Sequence, residues 1–130
     1  MVKEISVNSN AREEMINIDP AVTEFIRDSD VREGVLTVFV PHTTAAVTIN
    51  ENADPSVAGD IMKGLRKIAP KGAGYKHSEG NSDAHIKASL IGHSERLIVS
   101  GGRPLLGTWQ SLYFCEFDGP RTRRIFLQIQ

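Results

Sequence analysis

Three of the four histidines fall in one short segment, KHSEGNSDAHIKASLIGHSE, together with Glu79, Asn81, Asp83 and Glu95. Imidazole and carboxylate are standard ligands for zinc and similar divalent ions, and a site with two or three protein ligands keeps room for water or substrate. In an extended segment His77 and Glu79 point to the same side. His85 then emerges from the first turn of the following helix, with Ser89 one turn later on the same face. The spacing His-x-Glu-x5-His is not a metal signature by itself. A polar loop running into a capped helix, with its histidines bonded to backbone, accounts for the same residues.

The fourth histidine, His42, follows Pro41 at the end of an apolar run and precedes Thr43 and Thr44. A strand end presents a side chain to a pocket, and the two hydroxyls can orient an imidazole or bind phosphate oxygens; a plain polar turn is the competing reading. In NENADP, Glu51 is a candidate general base or a carboxylate partner to an imidazole, while Asp54 reads as a helix cap. Asp60 falls on the flank of the helix that follows, where a solvated side chain is the default. Gly101 and Gly102 can expose backbone amides to an anion, and Gln110 both donates and accepts hydrogen bonds. Arg121, Arg123 and Arg124 in GPRTRR form a cationic patch, suited to anion binding or to discouraging edge-to-edge strand pairing. His93, just past Gly92, is expected at the surface.

The elements that must position these residues can be read from periodicity. KEISVNS alternates as a strand, and EEMINI is a second whose register Met15 and Ile16 leave open. DPAVTEFIRDS and ADPSVAGDIMKGLRKIAP read as helices that use the same device, Asp19 or Asp54 as cap and Pro20 or Pro55 in the first turn. The second carries an apolar stripe of Val57, Ile61, Leu65 and Ile68. NSDAHIKASLIG reads as a third helix, capped by Asn81, Ser82 or Asp83 and ended near Gly92. GVLTVFVPH, TAAVTIN and RLIVSGG are strands, and LGTWQSLYFCEFDGPRTRRIFLQIQ reads as two long strands joined at DGPR, with Trp109 buried. Strands outnumber helices, and the joining turns are too short for parallel crossovers. The predicted class is α+β: one domain, residues 1–130, with a largely antiparallel sheet and two or three helices. Phe126, opposite the apolar face of the last strand, calls for a cover on that side, from a second sheet or a neighbouring subunit.

Composition narrows the function. The chain has 130 residues, 40% apolar and 24% charged, with 15 basic against 16 acidic side chains and 6% aromatics. Balanced charge and few aromatics give no electrostatic reason to expect nucleic acid or an anionic membrane as partner. The single cysteine, Cys115, excludes an intrachain disulfide and fits a reducing cytoplasm. Lying in SLYFCEF, it reads as a buried, inert thiol. The first residues lack the apolar core of a signal peptide, and no apolar run reaches transmembrane length.

The order of HTTAAVTINENADPSVAGD, then NSDAHIKASLIG, then GGRPLLGTWQSLYFCEFDGPRTR resembles the YjbQ-like family, also called secondary thiamine-phosphate synthases, over nearly the whole chain. The resemblance implies a homotrimer with pockets near subunit contacts. It also implies one site containing His42, His77 and His85, with Glu51, Asp60, Asn81, Ser89 and Gln110 as neighbours. The implied activity joins a hydroxymethylpyrimidine diphosphate to a thiazole phosphate and releases pyrophosphate. In the resulting expectation His42, Glu51, Asp60 and His85 are catalytic, and His42, His77 and His85 hold a divalent metal, zinc or magnesium. Thr43, Asn81, Ser89, Gly102, Gln110 and Arg121 bind a small phosphorylated substrate. A metal-dependent hydrolase and a non-catalytic binding module for a phosphorylated metabolite are the alternatives.

Overall fold

The computed structural model describes residues 1–130. Eight strands and three helices follow in the order β1 (Val2–Asn8), β2 (Glu14–Asn17), α1 (Asp19–Ser29), β3 (Gly34–Phe39), β4 (Ala45–Glu51), α2 (Pro55–Ile68), α3 (Ser82–Ile91), β5 (Ser94–Ser100), β6 (Arg103–Pro104), β7 (Gln110–Glu116) and β8 (Thr122–Ile129). All strand pairs are antiparallel, in a five-stranded sheet ordered β1-β8-β3-β5-β6 and a three-stranded sheet ordered β2-β7-β4. The α+β class with a single unit of this size agrees with the sequence reading. No helix is long and apolar enough to cross a membrane.

The period-2 pattern dictates the layers. On β8, Arg123, Ile125, Leu127 and Ile129 are buried while Arg124 and Gln128 are exposed, and Leu36, Val38, Leu97 and Val99 complete that inner face of the large sheet. It packs against Ala45, Val47, Leu112 and Phe114 of the small sheet, with Val22, Phe25 and Ile26 of α1 closing one end of the core. The small sheet is covered on both sides, so β7 reads as a continuous apolar run rather than an alternating one. Its other face, Ala46, Tyr113 and Cys115, meets Met62 and Leu65 of α2 and Ala84 and Ala88 of α3. Pairing of Ile16 with Phe114 and of Met15 with Cys115 settles the β2 register: Ile16 faces the inter-sheet core and Met15 faces the helices.

Several expectations change. β7 and β8 do not form a hairpin; the DGPR turn carries the chain from the small sheet to the large one. Asp19 does not cap α1, because its carboxylate accepts from the Leu112 N–H at 2.8 Å and ties the helix start to β7. Asp54 does cap α2, accepting from the Ser56 N–H at 2.9 Å. The α2 stripe is rotated: Met62, Leu65 and Ala69 are buried and Ile68 is exposed, since the sheet reaches only one flank of the helix. Trp109 is 63% exposed rather than buried; only its backbone is engaged, its carbonyl accepting from the Asn52 N–H at 2.9 Å. His93 is half-buried, its carbonyl accepting from the Val40 N–H at 2.8 Å. The second sheet covers the inner face of the large sheet, so Phe39 and Ile98 remain exposed on the outer one, where Arg124 lies 5.6 Å from the Phe126 ring centre.

Candidate functional site

At one end of the two-sheet core a cleft of about 480 Å³ is lined by Pro41, His42, Thr43, Thr44, His77, Glu79, Asn81, His85, Asp118, Arg121 and Arg123, none of them a hydrophobic side chain. Three chain segments build it. The β3–β4 connection supplies His42 to Thr44. The loop into α3 supplies His77, Glu79 and Asn81, and the first turn of α3 supplies His85. The turn from β7 and the first residues of β8 supply Asp118, Arg121 and Arg123. Strand ends suit this role, because each ladder fixes its last residue while leaving the next one free to point outward.

The floor is rigid. Arg123 stands on the inner face of β8, 4% exposed, and its guanidinium grips Glu116 of the small sheet through Nε at 2.9 Å and Nη2 at 2.5 Å. Nη2 also donates to Thr44 Oγ1 at 2.8 Å. Glu116 accepts further from the Ser9 hydroxyl at 2.7 Å and the Asp118 N–H at 3.1 Å. Burial alone would raise the Glu116 pKa, but the bonds from Arg123 and Ser9 outweigh it and hold the carboxyl below its usual 4.5. The pair bridges the two sheets with both charges compensated.

Above it, Asn81 Nδ2 and Arg121 Nη2 both donate to Asp118 Oδ2, at 2.7 and 3.2 Å. Neither Asn81 nor Ser82 caps α3 with its side chain; Asn81 is diverted to Asp118. The rings of His77 and His85 meet edge to face with centres 5.5 Å apart, and Glu79 lies 4.0 Å from His77 Nε2. Behind α3, Lys87 Nζ is 2.9 Å from both Asp83 and Glu13, and Arg12 binds Asp83 at 3.0 Å. The Arg12 carbonyl also accepts from the Gly119 N–H at 2.9 Å. This network therefore ties the helix carrying Asn81 and His85 to the turn carrying Asp118 and Arg121.

His42 Nε2 accepts a hydrogen bond from the Arg124 backbone N–H at 3.0 Å. Burial, and then the charge of Arg123, lowers its pKa from 6.5. A neutral ring with Nε2 engaged as acceptor carries its proton on Nδ1. The nitrogen left to the cleft is thus an N–H donor with no lone pair to give a metal. The expected triad of His42, His77 and His85 does not fit a metal centre in this arrangement, and no three His, Cys, Asp or Glu side chains of the structure are grouped as metal ligands.

Of the predicted site residues, His42, Thr43, His77, Asn81, His85 and Arg121 converge; the others lie elsewhere in the chain. Glu51 and Gln110 are ladder partners at the end of the small sheet opposite Thr44. A strand of that length rises about 20 Å from one end to the other. The Glu51 carbonyl accepts from the Tyr113 hydroxyl at 3.2 Å, and Gln110 Oε1 accepts from the Gly107 N–H at 2.8 Å, closing its own loop. Gly102, at φ +74°, turns the β5–β6 hairpin beside Arg32, also at the far end. Asp60 is exposed on α2. The Ser89 hydroxyl donates back to the His85 carbonyl at 2.9 Å. Thr44 and Arg123, read in the sequence as a phosphate-binding hydroxyl and as part of a cationic patch, also line the cleft, and Asp118 is an addition. Arg123 could have been found from parity, because it shares the face of Ile125, Leu127 and Ile129. Asp118 had no signal beyond its place in the turn.

The sequence pattern of the family described as "UPF0047 protein YjbQ-like" matches residues 3–130. The chain is 50% identical to the UPF0047 protein MJ1081 of Methanocaldococcus jannaschii over 99% of its own length and 94% of that protein's. It is 43% identical to the UPF0047 protein YugU of Bacillus subtilis, over 99% and 98% of the two lengths. Among solved structures it resembles a YjbQ/UPF0047-family protein of Clostridium acetobutylicum at 50% identity, with a TM-score of 0.96 and coverage of 98% and 99%. It also resembles the hypothetical protein APE1520 of Aeropyrum pernix K1 at 36% identity, with a TM-score of 0.95 and coverage of 100% and 98%. With the family pattern over nearly the whole chain and the fold shared with these structures, the chain belongs to the YjbQ-like UPF0047 family.

Proposed function

We propose that the cleft is the active site of an enzyme acting on a small phosphorylated molecule, with a reaction of the thiamine-phosphate synthase type. The carrying observation is the convergence of His42, Thr44, His77, His85, Arg121 and Arg123 in one cleft whose lining is polar except for Pro41. Such a donor-rich surface suits phosphate or diphosphate oxygens. In the reaction, the carbon–oxygen bond between the pyrimidine methylene and the diphosphate breaks, and pyrophosphate leaves with the electron pair. The lone pair of the thiazole ring nitrogen forms the new bond to the methylene, which leaves the joined product as a thiazolium. Arg121, half-exposed and steadied by Asp118, follows the leaving group; His77 and His85 offer ring N–H donors to it.

The largely polar lining supports a second reading. Apart from the Pro41 ring and the imidazole faces the cleft offers little apolar wall to two heteroaromatic rings, so water could take the place of the second substrate and the enzyme would be a phosphohydrolase. Purified protein given hydroxymethylpyrimidine diphosphate and thiazole phosphate should yield pyrophosphate and the joined product by chromatography. His85→Ala should abolish this with an unchanged circular dichroism spectrum. Phosphate release from a single substrate would select the hydrolase. Saturable binding without turnover would leave a binding module, and full activity of the His85 variant would remove the cleft from the chemistry.

The homotrimer expected from the resemblance is kept as part of this reading. The bare outer face of the large sheet, with Phe39 and Ile98 exposed, supports burial against other copies. A neighbour is also the means by which Glu51 and Gln110 could approach a cleft. Sedimentation equilibrium at a monomer mass would overturn the trimer. The buried thiol of Cys115 supports placement in the reducing cytoplasm.

A further inference from the structure

We infer that the floor of the cleft is an oxyanion cradle of three donors, Arg123 Nη1, the Thr44 hydroxyl and His42 Nδ1–H, which receives one phosphoryl oxygen of the ligand. This rests on reading the cleft as a phosphate site and names the groups that would hold the phosphate. Each donor is left over from bonds that fix its owner. Arg123 spends Nε and Nη2 on Glu116 and Thr44, and Nη1 has no protein partner. It is not sealed off either, because Asn81 Oδ1 is the only buried, solvent-excluded side-chain atom without a partner. Thr44, 5% exposed, uses an oxygen lone pair to accept from Arg123 Nη2, so its own hydrogen turns elsewhere. His42 spends Nε2 on the Arg124 N–H, leaving Nδ1–H.

The three lie together because their anchors do. Thr44 is bonded to Arg123 and His42 to Arg124, adjacent residues of β8, and all three side chains line the same cleft. The cradle is preorganised, since the guanidinium is held by a buried carboxylate and the imidazole by backbone. It offers directed hydrogen bonds rather than surplus charge, because Glu116 already neutralises Arg123. Its occupant is therefore an oxygen that only accepts, such as a deprotonated phosphoryl oxygen. Binding should also depend less on ionic strength than binding at exposed cations does.

Isothermal titration with pyrophosphate, and with inorganic phosphate, tests this on the wild-type chain and three variants. Arg123→Gln combined with Glu116→Gln removes both charges together and avoids stranding one. That double variant and Thr44→Val should each weaken pyrophosphate by roughly tenfold or more, the loss of a hydrogen bond to a charged group. Arg103→Gln, a cation on the exposed β6 hairpin, should leave affinity unchanged. Proton–nitrogen spectra of the wild-type chain provide a readout that needs no variant. The Arg123 Nε–H signal, protected by Glu116, should move as pyrophosphate is added and saturate with the calorimetric Kd. If the wild type binds neither anion, the phosphate reading fails and the cradle with it. If the wild type binds but the Arg123 signal stays fixed, or the folded variants bind equally well, the cradle alone is overturned and the anion sits elsewhere in the cleft.

Discussion

Replacing Lys87 by methionine isolates the charge that holds α3 in place. Methionine has nearly the same length and volume, so no cavity opens and only the ammonium is lost. In the native chain Nζ sits 2.9 Å from Asp83 and 2.9 Å from Glu13, with the Lys87 and Asp83 side chains each 1% exposed. Removing one partner of a buried ion pair costs about 3–5 kcal/mol, because the other charge is left without compensation. Here Asp83 keeps Arg12 at 3.0 Å and Glu13 keeps Arg66 at 3.7 Å, which places the loss at the lower end, about 3 kcal/mol. For a domain of this size that is a fall in Tm on the order of 10 °C. Burial alone would raise the Asp83 pKa, but the hydrogen bonds from Arg12 and Lys87 outweigh it and hold it below 3.8. Its stabilising contribution is thus present above pH 3.8 and is lost as pH falls through the lowered folded value. Methionine shrinks that shift, so the gap between wild type and variant should narrow in acid. Urea unfolding followed by far-UV circular dichroism, at several protein concentrations, measures the difference; fluorescence of the exposed Trp109 reports poorly on the core. A loss below about 1 kcal/mol at neutral pH, against the 3–5 kcal/mol typical of a broken buried pair, would refute the reasoning. So would a gap independent of acid.

Cys115 should resist thiol reagents in the native state, since burial pushes its pKa up to about 12; Ellman absorbance should appear only as the chain unfolds. Gly34→Ala should destabilise by about 2 kcal/mol or more, because an added Cβ would strike the Gln130 carbonyl that accepts from the Val35 N–H; thermal melts decide this. His42, with its pKa lowered first by burial and then by Arg123, contributes stability that is full above pH 6.5 and is lost as pH falls through the lowered folded value. His42→Gln should flatten that part of the Tm-against-pH curve, and an unchanged slope would deny His42 the assigned role.

Much of the fold was legible because period and punctuation are local properties. Asp54-Pro55 starts α2, Gly92 ends α3, and the alternation of Ile125, Leu127 and Ile129 fixes the inner face of β8. The failures share one cause. Asp19 looked like a cap, but its carboxylate reaches a strand that lies 93 positions away in the chain. Trp109 looked buried by residue type, but no element packs over it and its ring stays exposed. Ile68 fits a helical stripe drawn on α2 alone, but the stripe that counts is the one the small sheet touches.

The same division holds for the site. The sequence by itself determined which side chains are available and which of them sit at strand and helix ends; that His42, His77, His85 and Asn81 share one site was implied by the family resemblance, not by their spacing. Spacing could not tell which strand ends share a side of the molecule. Only the antiparallel ladders, by sending Ala45 to one end of β4 and Glu51 to the other, separated His42 from Glu51 and Gln110. Only the approach of two sheets brought Glu116 against Arg123 and turned an apparent patch of surface arginines into a buried, directed donor. The engagement of His42 Nε2 by the Arg124 N–H likewise belongs to tertiary structure. A ring nitrogen is donor or acceptor according to what faces it, and nothing in the order of residues records that.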